Sequence, residues 1–340
     1  MLVRADASTA IGSGHVMRCL ALAKAWQSNA GLVSYLMAES IPELEERLTR
    51  ENIQRQSLAV EPATAEDAEQ TAALARKLGA AWVVVDGYCF GPNYIHSLKA
   101  AGLRVLTLDD DARFDSYDAD VVLNQNISAT AEKYVKRAPY TRLLLGSNYV
   151  LLRPEFTLEK RMREIAGEAG KLLVTMGGSD SENATAKVIR ALGRVGSDLE
   201  ATIVVGGGNP HYEMLRALAE NLPHKICLER DPSNMAPLMR WADLAISAAG
   251  GTCWELAHLG VPTVLIVLSR DQTANASALS AHGAALSLGW HSTLAEDKIA
   301  EVVESLIHDM GKRRVMGERG QKLIDGQGAA RVVDFLQNLL

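Results

Sequence analysis

"LLVTMGGSDSENAT", residues 172–185, runs from a short apolar stretch through Gly177, Gly178 and Ser179 into a helix-prone segment opened by Asp180 or Ser181, with Glu182 and Asn183 nearby. A strand that meets a glycine turn and then a helix is the unit of a parallel α/β sheet. Glycine lets the backbone approach an anion, and the first N–H groups of the following helix point toward it. The same logic recurs at 244–260, "LAISAAGGTCWELAHLG", where Gly250, Gly251 and Thr252 precede a helix with Glu255 on its first turn. A carboxylate there suits a ribose diol. A third such turn, Gly206 to Gly208, lies in "IVVGGGNPHYEML" at 203–215. Any one turn is explained by loop geometry alone; several in one half point to a nucleotide-diphosphate pocket. None has P-loop spacing, and no G-x-G-x-x-G follows a strand, since "GSGHVM" ends in Met17, so NAD is disfavoured.

Further strands are expected at "LVRAD", "LVSYLM", "AWVVVD", "LRVLTLD" and "DVVLN" in the first half, and at "KLLVTM", "ATIVV", "KICLE", "LAIS" and "PTVLIVL" in the second. These are continuous apolar runs, as parallel strands covered on both faces require. Helical patterns lie between them, at 65–78, 183–194, 211–221 and 252–260, and from about residue 295 onward only helices are read. The charged segment "LRPEFTLEKRMREIAGEAG", residues 152–170, interrupts the rhythm. The expected class is therefore α/β, with two Rossmann-like domains facing each other across a cleft. The first spans 1–150, a linker 151–170, and a nucleotide-binding domain 171–340, whose last helix is a candidate to pack back on the first domain.

The 340 residues suit two domains, and 48% hydrophobic with 22% charged residues is ordinary for a globular chain. A net charge of −6 without a Lys/Arg-rich block argues against nucleic-acid binding. Cys19, Cys89, Cys227 and Cys253 have no metal or redox spacing, and are expected to be reduced thiols. Neither a secretory signal nor a membrane span is read, so the expected setting is cytoplasmic and away from membranes.

In "AIGSGHVMRCLALAKAW", residues 10–26, His15 stands at the first turn of a helix that follows the first strand. Val16, Cys19, Leu20 and Ala23 define its buried stripe. A helix N-terminus disfavours imidazolium and suits a general base, while a ring that merely caps a loop fits the position equally well. Asp86 and Tyr88 close the strand in "VVVDGYCF"; Tyr88 is either an aromatic lid or a group that orients a substrate oxygen. Asp109, Asp110 and Asp111 read as a solvated capping loop, with Asp109 or Asp110 lining the cleft as the second option. Asn124 and Asn126 end another strand, where they suit polar contacts to a sugar. Asp271, before Gln272, is a natural N-cap. His96 and His258 read as structural or solvated.

The blocks "RADASTAIGSGHVMRCLALA", "VDGY", "LTLDDD", "VLNQN", "LGSNYVLLRPEF", "TMGGSD" and "SAAGGTCWELAHLGVPTVLIV" occur in the order found in the pseudaminic acid pathway hydrolases (the PseG family), which this chain resembles over nearly its full length. The second half is also similar to the nucleotide half of the glycosyltransferase B fold, as in MurG-type transferases. The resemblance implies a metal-independent, cofactor-free hydrolase that removes UDP from a 2,4-diacetamido-2,4,6-trideoxyhexose, with inversion and with His15 as base beside Tyr88. Substrate contacts then fall on Asp6, Gly14, Arg18, Asn124, Gly178, Ser179, Asn183, Ser247, Gly250, Thr252, Glu255, Asp271 and Gln272. Two positions depart from the family pattern: Gly87 stands where histidine is frequent, and Asp271 where asparagine is common. A transferase to an alcohol acceptor, a non-catalytic nucleotide-sugar module and a 2-epimerase are the rival readings. The expected partner is a UDP-sugar alone, with the oligomeric state left open.

Overall fold

The computed structural model describes residues 1–8, 11–158 and 164–340. Thirteen strands are found among them: β1 Leu2–Ala5, β2 Ser34–Met37, β3 Gln54–Ser57, β4 Val83–Asp86, β5 Val105–Leu108, β6 Val121–Asn124, β7 Arg142–Leu145, β8 Lys171–Thr175, β9 Glu200–Val205, β10 Lys225–Arg230, β11 Leu244–Ala248, β12 Thr263–Val267 and β13 Leu286–Trp290. The helices are α1 Gly14–Ser28, α2 Pro42–Arg50, α3 Ala65–Lys77, α4 Pro92–Ala100, α5 Pro154–Thr157, α6 Ala184–Leu192, α7 Tyr212–Ala219, α8 Ala236–Trp241, α9 Thr252–His258, α10 Gln272–Ala281, α11 Glu296–His308, α12 Met310–Leu323 and α13 Gly328–Gln337.

The chain divides into two units, Met1–Pro154 with Gly326–Leu340, and Glu155–Asp325. Residues 159–163 of the charged interdomain segment lie outside the described residues. The first unit holds a seven-stranded sheet in the order β3-β2-β1-β4-β5-β6-β7, the second a six-stranded sheet in the order β10-β9-β8-β11-β12-β13. Their pairings are parallel. Both are doubly wound, and in each the strand order reverses once, between β1 and β4 and between β8 and β11. Ligands of such sheets bind beyond the carboxyl ends of the strands at that reversal.

Alternation along each inner strand feeds two cores. Val3 and Val84 pack with Val16, Leu20 and Trp26 of α1 and with Val332 and Leu336 of α13. Leu2, Val83 and Val85 pack on the opposite face with Ala68 and Ala72 of α3 and Leu98 of α4. Each such valine or leucine, fully buried, contributes about 1.5–3 kcal/mol. The last helix is fastened to the first unit by Trp82 Nε1, which donates to the Leu336 carbonyl at 3.2 Å.

Three strands escape the sequence reading: β3, β7 and β13. All are sheet edges, and all are at least partly exposed. In β3 the exposed "QRQS" has no apolar run to read, whereas β7 carries Leu143 to Leu145 with Leu144 in the core. No helix among the described residues is long and apolar enough to cross a membrane.

Candidate active site

Gly12 takes a positive φ of 74° and its N–H donates to the Ser8 carbonyl, turning the chain so that α1 starts at Gly14. The buried face of α1 then includes His15, Val16, Cys19, Leu20, Ala23 and Trp26. This sets His15 against the carboxyl end of β4, which pairs with β1 so that Asp86 lies opposite Ala5. His15 Nδ1 is 2.8 Å from Asp86 Oδ1. The ring is 8% exposed, and Asp86 is fully buried.

Asp86 also receives Arg18 on two edges, Nε to Oδ2 and Nη2 to Oδ1, both at 2.6 Å. The Cys19 thiol donates to Oδ2 at 3.5 Å. Burial pushes the Asp86 carboxyl up, but the adjacent charges of Arg18 and His15 outweigh it and hold the group well below the usual carboxylate range. An ionised carboxylate only accepts, so a hydrogen belongs on Nδ1, and in the neutral ring the lone pair lies on Nε2. Asp86 acts in the opposite sense to the helix N-terminus: a carboxylate against Nδ1 favours the imidazolium, while Arg18 Nη2, 3.3 Å from Nδ1, opposes it.

Tyr88 packs edge-on to His15, ring centroids 4.7 Å apart at 86°. Its other face carries the Arg113 guanidinium, 4.9 Å from the centroid, and Arg113 Nη2 donates to the Tyr88 carbonyl. Gly87 adopts a φ of 154°, and a Cβ there would meet the Phe90 ring at 2.9 Å. That crowding accounts for glycine at this position.

The other first-unit candidates are more committed than the sequence implied. Arg18, read as a substrate contact, spends its guanidinium on Asp86 and on Asp110 Oδ1 at 2.7 Å. Asp6 Oδ1 accepts from Arg4 Nη1 and from the Ala38 and Glu39 N–H groups, while its buried Oδ2 has no hydrogen-bond partner among the described residues. Arg4 in turn is clamped by Asp67. Asn124 is 1% exposed; its amide donates to Tyr134 Oη and accepts from the Asn126 N–H, so it is spent inside the fold. Asn126 Nδ2 donates to the Asp110 carbonyl. Asp109 is buried and caps no helix: its Oδ2 accepts from Tyr117, Tyr134 and the Ala112 N–H. Gly14 opens α1 with free space where a Cβ would stand. His96 is exposed beside Asp118, and buried His258 donates to the Ile324 carbonyl.

In the second unit the glycine turns cluster at the strand-order reversal. The β8–α6 and β9–α7 loops touch: the Gly208 N–H donates to the Gly178 carbonyl at 3.1 Å, and a Cβ on Gly206 would lie 2.3 Å from that same oxygen. Gly178 and Ser179 are exposed. The expectation that the α6 amides stand free for an anion is corrected by the geometry. Asp180 takes the Ala184 and Thr185 N–H groups, and Asn183, in a left-handed conformation, takes that of Ala186. A buried side-chain cap has already filled the helix start.

At α9 the N-cap is Gly251, which offers no side chain; Gly250, Thr252 and Glu255 are half-buried around it. Ser247 is fully buried, its hydroxyl turned to the Ala248 carbonyl. Gln272 Oε1 accepts the Leu268 N–H, and its Nε2 lies 3.7 Å from where a Gly250 Cβ would be. Asp271 sits at the N-cap of α10 but makes no capping hydrogen bond, contrary to the capping reading. Among the described residues no group of three or more His, Cys, Asp or Glu side chains is arranged to hold a metal ion.

Sequence reasoning named Asp86 and Asp110 but gave neither its partner. The available signal was positional: β1 and β4 are neighbours in a doubly wound sheet, so the residue ending β4 must face the turn that ends β1.

Comparison with known proteins follows the same division. Residues 172–326 match the glycosyltransferase family 28 C-terminal domain. The chain is 31% identical to the spore coat polysaccharide biosynthesis protein SpsG of Bacillus subtilis, over 58% of this chain and 59% of that protein. It is 25% identical to the UDP-2,4-diacetamido-2,4,6-trideoxy-beta-L-altropyranose hydrolase of Campylobacter jejuni, over 83% of this chain and 97% of that one. The matches to the first three curated relatives span 59%, 40% and 54% of their lengths, about half. Among solved structures, MurG of Acinetobacter baumannii superposes with a TM-score of 0.68 at 22% identity, covering 99% of each chain. The chain thus has the two-sheet glycosyltransferase B fold, and its residues 172–326 match a glycosyltransferase family 28 C-terminal domain.

Proposed function

We propose that the protein hydrolyses a UDP-linked 2,4-diacetamido-2,4,6-trideoxyhexose to UDP and the free sugar, with inversion at the anomeric carbon. The observation that carries this reading is the buried His15–Asp86 pair at the strand-order reversal of the first sheet, a base with its orienting carboxylate in place. The likeness to the Campylobacter jejuni hydrolase over 97% of that protein supports the substrate class.

Water attacks the anomeric carbon, the bond from that carbon to the β-phosphate oxygen breaks, and UDP leaves with the bonding pair. His15 Nε2 takes the proton, and Asp86 steadies the imidazolium through Nδ1–H. The turns at Gly177–Ser179 and Gly250–Thr252 hold the nucleotide, with Glu255 on the ribose and Gln272 beside Gly250. Backbone donors at these turns stabilise the departing diphosphate, so no general acid is required. One displacement inverts the centre. Tyr88 walls the base on one side, and Asp6 Oδ2 offers an acceptor to a sugar hydroxyl or amide.

A second reading, transfer of the sugar to an alcohol, is favoured by the family 28 domain and by relatives named as N-acetylglucosamine transferases. Phosphorus NMR of UDP-sugars with enzyme, EDTA and no acceptor separates the two. Free UDP from the diacetamido sugar, lost in His15→Ala, is the expected result; UDP only after an alcohol is added would make the protein a transferase.

A further inference from the structure

Asp110 takes no part in the reaction as written above, yet it is tied to the base. It follows β5, and its Oδ1 accepts Arg18 Nη1 at 2.7 Å. Its own backbone is fixed from two sides. Asn126 Nδ2 donates to the Asp110 carbonyl at 2.8 Å, and the preceding Asp109 is held by Tyr117, Tyr134 and the Ala112 N–H. The carboxylate is therefore presented on a backbone that cannot easily follow Arg18 if the guanidinium moves. The three side chains are scarcely exposed: Asp86 at 0%, Arg18 at 15% and Asp110 at 14%.

The charges add simply. Asp86 and Arg18 cancel, so a protonated His15 beside that pair alone would be an uncompensated charge in a nearly dry site, which is costly. Asp110 changes the sum to one net negative charge, which an imidazolium brings to zero. The other groups facing the ring are neutral, or are exposed to solvent that screens them. From α1 and β2, Cys19 and Tyr35 stay neutral because burial pushes their ionisation up. From the β4–α4 loop, Tyr88 is in contact, and Arg113, beyond it, is exposed.

We propose that Asp110 is a positioning residue for His15: through Arg18 it holds Asp86 against Nδ1 and supplies the negative charge that offsets the imidazolium formed in the reaction. The proposal rests on the reading of His15 as the base.

The test compares wild type, Asp110→Asn and Asp110→Glu by steady-state kinetics across pH and by nitrogen NMR of the His15 ring in the free protein. Asp110→Asn is expected to lower kcat about tenfold, the order expected of one charge at this range, with KM little changed. The acid limb of its kcat/KM profile moves to lower pH, because losing a negative charge disfavours the imidazolium. The His15 ring titration moves the same way, and Asp110→Glu recovers most of both effects. The titration needs no substrate, so a shift there with no UDP release by any form would sink the hydrolase reading and leave Asp110 coupled to His15. An unmoved titration and pH profile in Asp110→Asn would overturn the proposal, as would a raised KM at unchanged kcat, which would make Arg18 and Asp110 substrate contacts.

Discussion

His15 Nδ1 and Asp86 Oδ1 lie 2.8 Å apart, joining the first turn of α1 to the last residue of β4. Because β1 and β4 are sheet neighbours on either side of the strand-order reversal, the contact is made by topology and needs no long loop. Replacing His15 by alanine should lower kcat for UDP release by about 10²–10⁴, the usual worth of a positioned base, and leave KM within a few-fold. Asp86→Asn should lose up to about 10⁴-fold, as the ring loses its tautomer control and counter-charge. A His15→Ala enzyme at near wild-type kcat would remove His15 from the mechanism.

Acid should weaken the fold through Asp86. Burial pushes its ionisation up, Arg18 and His15 outweigh that, and the folded-state value is held below the unfolded one, near 3.9. The stabilisation is thus complete above the ordinary carboxylate range and lost as pH falls toward the folded value. Urea unfolding measured down through about pH 4 should show stability declining in wild type. The decline should be shallower in Asp86→Asn; parallel curves would mean that this carboxylate carries no linkage.

Gly206 is held to its identity by space: a Cβ would sit 2.3 Å from the Gly178 carbonyl oxygen and 2.5 Å from that of Gly177. Gly206→Ala must push the β8–α6 loop outward, at a cost of about 1–3 kcal/mol. Calorimetry should find weaker UDP binding together with a lower Tm. Unchanged UDP affinity would separate these turns from the nucleotide.

Asp271 makes no cap hydrogen bond and is exposed. Asp271→Asn should therefore leave unfolding free energy within about 0.5 kcal/mol of wild type. Any change it makes should appear in KM for the sugar nucleotide. A large stability loss would restore the capping role.

Much of this architecture is legible in the sequence because inner strands of a parallel sheet are buried on both faces and read as apolar runs. The edge β3, Gln-Arg-Gln-Ser, leaves no such signature; β7, with Leu143 to Leu145, does carry an apolar run that the reading passed over. The site is legible unevenly for a related reason. His15 is marked by its glycine turn, but the pairing of Arg18 with Asp86 and Asp110 joins residues 68 and 92 positions apart. Such a distance is set by strand order, which no local pattern carries. Asn124 and Ser247, polar residues at strand ends read as ligand contacts, each have a hydrogen-bond partner within the fold that the sequence does not reveal. Asp180 and Asn183 likewise fill helix-start donors that the glycine turn seemed to leave open.

The central claim, water attack at the anomeric carbon assisted by His15, is tested most directly by running the reaction in oxygen-18 water and weighing both products. The account predicts one labelled oxygen in the released sugar and none in UDP. Label in the UDP phosphate would mean cleavage at phosphorus and would contradict it.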